Sequence, residues 1–177
     1  VNMLGEEERS EEEGSFSQAS IPKRIAIVAA GGLVNIIFAI LLFIVLVTII
    51  TGDFMSAIAS TGNFVMAMWE SIKLIFTGGI TMDSLVGPIG ISELVAQTSG
   101  VIDFLYLMAL ISMSLGVTNL LPFPPLDGGK ILIYIIEAIR KKPLKEEFEL
   151  KLQMIGFLAL ITLSVFVTFN DVERLVG

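Results

Sequence analysis

The apolar positions of this chain gather into three stretches with no charged residue, Ile25 to Gly52, Phe104 to Leu126 and Leu152 to Asn170. They hold 28, 23 and 19 residues, against the roughly 20 that a helix needs to cross a bilayer. Inside lipid only helices and closed barrels satisfy their backbone hydrogen bonds, and these stretches lack the alternation of a barrel strand. The pattern predicts an all-α membrane protein with transmembrane helices over about 25–51, 104–124 and 152–170. The first stretch is no secretory signal: it begins some twenty residues in, exceeds the 7–15 residues of an apolar signal core, and no small-residue cleavage pattern follows it.

A different pattern fills the connection between the first two stretches. Phe54, Ile58, Val65, Met68, Ile72 and Ile75 recur near helical spacing, while Ser56, Ser60, Asn63 and Glu70 gather on another face. This predicts an amphipathic helix at the membrane surface over about 54–76; a fourth, poorer span is the alternative. Thr77-Gly-Gly-Ile-Thr-Met-Asp83 and Gly87-Pro-Ile-Gly90 carry loop and turn signals, and a short helix is expected around Ile91 to Thr98. No Gly-Lys-Ser/Thr follows the glycines, so they do not form a phosphate-binding loop.

Charge sets the orientation. Lys23 and Arg24 precede the first stretch; the connection from Asp53 to Asp103 carries Lys73 against five acids; Lys130, Arg140, Lys141, Lys142, Lys145 and Lys151 follow the second stretch. After the third comes Arg174. Basic and non-basic ends therefore alternate, and the lysine- and arginine-rich end faces the cytoplasm. A fourth span would break that alternation.

Composition agrees, with 54% hydrophobic residues, 16% charged and a mean hydropathy of +0.86. The net charge of −7 is segmental, since six of the 18 carboxylates are Glu6, Glu7, Glu8, Glu11, Glu12 and Glu13. Such an acidic, Ser/Gly-rich stretch buries too little apolar surface to offset its ordering entropy, so residues 1–20 are expected to form a flexible cytoplasmic loop and 21–177 the membrane-embedded core. The chain has no cysteine and no histidine. It therefore holds no disulfide, no thiolate nucleophile, and neither an imidazole base nor an imidazole metal ligand.

Candidate chemistry concentrates at the inner end of the second stretch, in Asn119-Leu-Leu-Pro122-Phe-Pro124-Pro-Leu-Asp127-Gly128-Gly129. Three prolines within four residues remove amide donors and break the helix. Broken backbone at membrane depth persists where it is buried in protein or lines a wet cavity. Asp127 lies on that broken backbone, and an ionisable residue in such a place marks a functional site by default. The plainer reading makes Asp127 the cap of a helix starting at Gly128, with Lys130 as an ion-pair partner; local features do not separate the two.

The motif Asn-x-x-Pro-x-Pro-x-Leu-Asp-Gly-Gly resembles the carboxy-terminal signature of the site-2 proteases, intramembrane zinc metalloproteases. Val1-Asn-Met-Leu-Gly-Glu-Glu is similar to the end of that family's membrane-associated hairpin. Gly14-Ser-Phe with Pro22-Lys-Arg-Ile-Ala-Ile-Val-Ala-Ala-Gly31-Gly-Leu-Val-Asn35 resembles the start of its second helix, and Leu74 to Ile91 the segment before its third. The resemblance implies that Asp127 is the third zinc ligand, that Asn119, Pro122 and Pro124 shape the substrate cleft, and that Asn35 helps to hold a substrate strand unwound. Gly31, Gly128 and Gly129 are the motif glycines. The implied cofactor is Zn2+. The implied partners are the bilayer and a transmembrane substrate helix, such as an anti-sigma factor or a signal-peptide remnant, with no nucleic acid. The implied location is the bacterial cell (inner) membrane, as a multi-pass protein.

The chain also departs from the family. The His-Glu-x-x-His helix, which supplies two zinc ligands and the general base, lies upstream of the point where this sequence begins, so no catalytic residue is assigned here. Gly32 stands where proline is usual. Thr51-Gly-Asp-Phe54 joins segments that many relatives separate by a PDZ domain, through either a natural variant or an incomplete sequence. The expected function is regulated intramembrane proteolysis, with this chain supplying the third ligand and the cleft. The alternatives are a relative or inactive fragment that binds membrane helices without cleaving them, and a transporter using Asp127 as an ion-coupling carboxylate, for which no inverted repeat is seen.

Overall fold

The computed structural model describes residues 15–79 and 85–176. Among them a 3-10 turn, Phe16–Gln18, precedes six helices: α1 Ile21–Thr51, α2 Phe54–Thr77, α3 Pro88–Gln97, α4 Val101–Asn119, α5 Asp127–Arg140 and α6 Glu146–Val176. No strand occurs among the described residues. Three helices, α1, α4 and α6, are long and apolar enough to cross a membrane. They coincide with the three uncharged stretches. Their outward side chains are large and apolar, including Val34, Ile49, Phe157 and Phe166, as expected of helices that face lipid rather than water.

The centre of the molecule is the crossing of α1 and α4. Gly32 and Gly116 meet there: a Cβ on Gly116 would lie 2.6 Å from the Gly32 carbonyl oxygen and 3.0 Å from the Ile36 amide nitrogen. Without side chains at these two positions the backbones close to near contact, the usual way for helices to pack when lipid is as apolar as leucine. The Ser112 hydroxyl, one turn from Gly116, donates to the Asn35 carbonyl at 3.0 Å. Ala39, Phe43, Ala109 and Met113 continue the contact away from the crossing.

The amphipathic helix forms over Phe54–Thr77 and folds back along α1. Gly52 makes the reversal possible, with φ at +69° in the left-handed region. Asp53 then caps α2, accepting from the amides of Met55 and Ser56 at 3.1 Å each and from the Ser56 hydroxyl at 2.5 Å. Those hydrogen bonds, that of the Ser56 hydroxyl first, hold the exposed Asp53 carboxyl below its ordinary range. Phe64 stacks on Phe43 with ring centroids 4.4 Å apart, so α2 is fastened to the central core by one face.

A second cluster closes the basic end. Phe16, Val28, Ile133 and Tyr134 are buried together, flanked by Ile21, Ile25, Leu144 and Leu152. The Arg24 guanidinium carbon stands 5.9 Å from the ring centres of both Phe16 and Tyr134, and its Nε donates to the Ala19 carbonyl. The expectation of a flexible loop over 1–20 is thus corrected for residues 15–20, where Phe16 is buried on α5; its first fourteen residues lie outside the described residues. The short helix expected around 91–98 begins earlier, at Pro88, because proline suits a first helical turn. The second span ends at Asn119, before the prolines, instead of reaching 124.

Candidate functional site

The segment between α4 and α5 is a chain of tight turns. After Asn119 the helix narrows, with the Leu121 amide donating to Thr118, Phe123 to Leu121 and Leu126 to Phe123. The Pro124–Pro125 peptide is cis. Asp127 follows as the first residue of α5, and Leu126 takes the cap position. The capping reading of Asp127, in which the helix starts at Gly128, is therefore shifted by one residue: its side chain belongs to the first turn, where a carboxylate also meets the positive end of the helix dipole.

Three glycines lock this segment in place through lack of a side chain. A Cβ on Gly128 would overlap the Leu120 and Leu121 carbonyl oxygens, and one on Gly129 would come within 2.8 Å of the Phe123 carbonyl. From α6, Gly156 lies against Pro124 so closely that a Cβ would overlap its carbonyl oxygen. The turns are thus nested between the start of α5 and one face of α6. Alanine at any of the three would strike backbone, which cannot rotate aside.

The sequence-selected residues fall into two groups. Gly31 and Asp127 come together across α1 and α5, with a Cβ on Gly31 placed 3.8 Å from Asp127 Oδ2. Asp127 itself is half-buried. Asn35 lies one turn beyond Gly31 on the same helix and is tied to α4 by its backbone carbonyl. Asn119 and Pro124 are half-buried and Pro122 is exposed. Of these, Pro122 joins an apolar groove of about 550 Å³ lined by Ile36, Trp69, Ile72, Lys73, Leu120 and Leu121 among others. The groove lies between α1, α2 and the end of α4.

Sequence reasoning missed Ser112, Gly116 and Gly156. Gly32, which stands where proline is usual in the family and lies in the small-residue run Ala29-Ala-Gly-Gly32, is half of the helix crossing. The spacing Ser112-x-x-x-Gly116 carried the signal for close helix approach. For Gly156, whose neighbours four residues away are Leu152 and Leu160, the small-xxx-small spacing is missing.

As a metal ligand Asp127 offers one hard oxygen donor, placed by rigid backbone. No group of three His, Cys, Asp or Glu side chains able to hold a metal is found among the described residues. The residues present fit one position of a ligand set and leave the others to be supplied.

The chain is similar to known proteins. The model of peptidase family M50 matches residues 1–163. The regulator of sigma-W protease RasP of Bacillus subtilis is 39% identical over 118 residues, covering 66% of this chain and 28% of that protein. The probable protease Eep of Enterococcus faecalis is 41% identical over 122 residues, 68% of this chain and 29% of the relative. The zinc metalloprotease RasP of Shouchella clausii is 38% identical over 115 residues, 64% and 28% respectively. The matched part thus spans less than a third of these relatives. With a family model that matches most of its length, this chain belongs to peptidase family M50, the site-2 proteases.

Proposed function

We propose that this chain forms the substrate-binding and third-ligand part of an intramembrane zinc endopeptidase that cleaves single-span membrane proteins, as a multi-pass protein of the bacterial cell membrane. The observation that carries the reading is the placement of Asp127: first residue of α5, on turns nested against Gly128, Gly129 and Gly156, and facing Gly31 of α1. A carboxylate needed only as a cap would not require such backing. Its Oδ atoms would hold zinc together with the histidine pair of an upstream His-Glu-x-x-His helix. The chemistry such a bound ion would supply is activation of a water and polarisation of the scissile carbonyl.

The chain's own residues then have defined work. Turns at Pro122 and Pro124 keep the approach to Asp127 from closing into helix, and Asn119 and Asn35 offer amides to an extended substrate strand. Such a strand must leave its helix before its amides are accessible, because intrahelical bonds are held tightly in lipid. The apolar groove beside Pro122 accepts side chains from a membrane segment. One relative is named a regulator of sigma-W protease, which supports an anti-sigma factor as the substrate class; a signal-peptide remnant has the same single-span form.

The test uses the complete protein containing this segment. Asp127→Asn keeps the size of the side chain and removes its charge, and it is expected to lower bound zinc and to cut proteolysis of a single-span substrate by at least about 100-fold, within the range seen when a polarising group is lost. Undiminished zinc and cleavage would overturn the assignment. A protein that binds the substrate helix equally well with or without Asp127 and never cleaves it would favour the non-catalytic alternative.

A further inference from the structure

Near the far end of α6, Asp171 is completely buried, at 0% exposure. A carboxylate at the end of a lipid-facing helix is costly to bury unless its oxygens are engaged. Both are. Oδ2 accepts the Gly90 amide at 2.8 Å and Oδ1 pairs with Arg174 Nη2 at 3.2 Å. Gly90 is the third residue of α3, so its amide belongs to the first turn, whose donors have no partner inside the helix.

The turn Gly87-Pro-Ile-Gly90 is shaped around this carboxylate. A Cβ on Gly87 would stand 2.7 Å from Asp171 Oδ2 and 2.9 Å from Val167 Cγ1; one on Gly90 would stand 3.0 Å from Oδ1 and 2.9 Å from Arg174 Nη2. Neither glycine has a positive φ. Room for Asp171, not backbone freedom, explains both. Val167, one turn earlier on α6, is buried against the same turn.

Between this point and the inner end, α6 presents exposed apolar side chains, among them Phe157, Leu158, Ile161, Val165 and Phe166. Toward the inner end it meets Pro124 at Gly156. Gly156 and Asp171 lie about 22 Å apart at 1.5 Å per residue. The helix thus behaves as a strut with one pin on the turns that lead into Asp127 and another on α3.

We propose that Asp171 is a positioning residue: by fastening α6 to the first turn of α3, it keeps Gly156 seated on Pro124 and so holds the backbone that presents Asp127. This rests on the reading of Asp127 as a zinc ligand. Loss of the outer pin frees α6 to tilt, and the turns before Asp127 lose their backing.

The experiment uses the complete protein in a cysteine-free background, which this segment already satisfies. Val167→Cys places a thiol on the buried face against Gly87. Its reaction with a membrane-permeant maleimide is expected to be slow in the parent, at least about tenfold faster with Asp171→Ala, and slow again with Asp171→Asn, which retains an acceptor for the Gly90 amide. Release of zinc to a chelator is expected to follow the same order. Should Asp171→Ala fail to accumulate, Gly87→Ala, which wedges the carboxylate from the other side, carries the same expectation. Unchanged labelling at position 167 would overturn the fastening. Faster labelling with unchanged zinc release would overturn the positioning role. Zinc release that is also indifferent to Asp127→Asn would sink the ligand reading instead, and labelling would still decide the fastening.

Discussion

Glu137 shows how a single side chain joins two elements. It is buried at 5% exposure on α5, and its Oε1 accepts the Leu144 amide at 2.7 Å across the connection to α6. Glu137→Ala removes that acceptor from a half-buried amide and is expected to destabilise the basic end by about 1–3 kcal/mol, whereas Glu137→Gln retains an acceptor and costs less. Thermal unfolding in detergent reads the difference; equal midpoints for alanine and parent would remove this bond from the account. Residues of this kind were not legible in the sequence. Glu137 and Asp171 look like ordinary charges beside apolar stretches, and only the chain brought against them from elsewhere shows that they are buried. Asp127 was legible as a candidate because its prolines and glycines are local.

At the scale of elements, hydropathy defined α1, α4 and α6, since an uncharged stretch of about 20 residues has few other uses. It did not reveal α5 as an element in its own right: its fourteen residues include Glu137, Lys130 and Arg140, and they are too short and too polar to read as a span. Nor could periodicity say what α2 would rest upon, because it identifies an apolar face but not its partner. The α1–α4 crossing makes the strongest demand. Gly116→Ala would push a methyl group into the Gly32 carbonyl and the backbone at Ile36, with an expected cost of about 1–3 kcal/mol from overpacking. Gly62→Ala, where a Cβ meets nothing within 4 Å, is the matched control on α2. Resistance to unfolding should fall for the first and not for the second; equal behaviour would mean that the helices do not meet as described.

For the whole molecule, the two ends differ in kind. The starts of α1 and α6 share the cluster around Phe16 with Ile131, Ile133 and Tyr134 of α5; Arg24 stands over its two rings, and the same segments carry Lys23, Arg140 and Lys142. At the other end α3 meets the end of α6 through Asp171. The charge rule then predicts an orientation. A cysteine at Val101, which is 75% exposed, should react with an impermeant maleimide on intact spheroplasts, and one at Lys142 only after permeabilisation. The opposite result would invert the topology. The groove beside Pro122 has one further consequence. Trp69, on its wall, is the chain's single tryptophan, so emission excited at the red edge, where the two tyrosines do not absorb, arises in this segment from one known place, and a shift in its colour or intensity reads the polarity of the groove without any added dye.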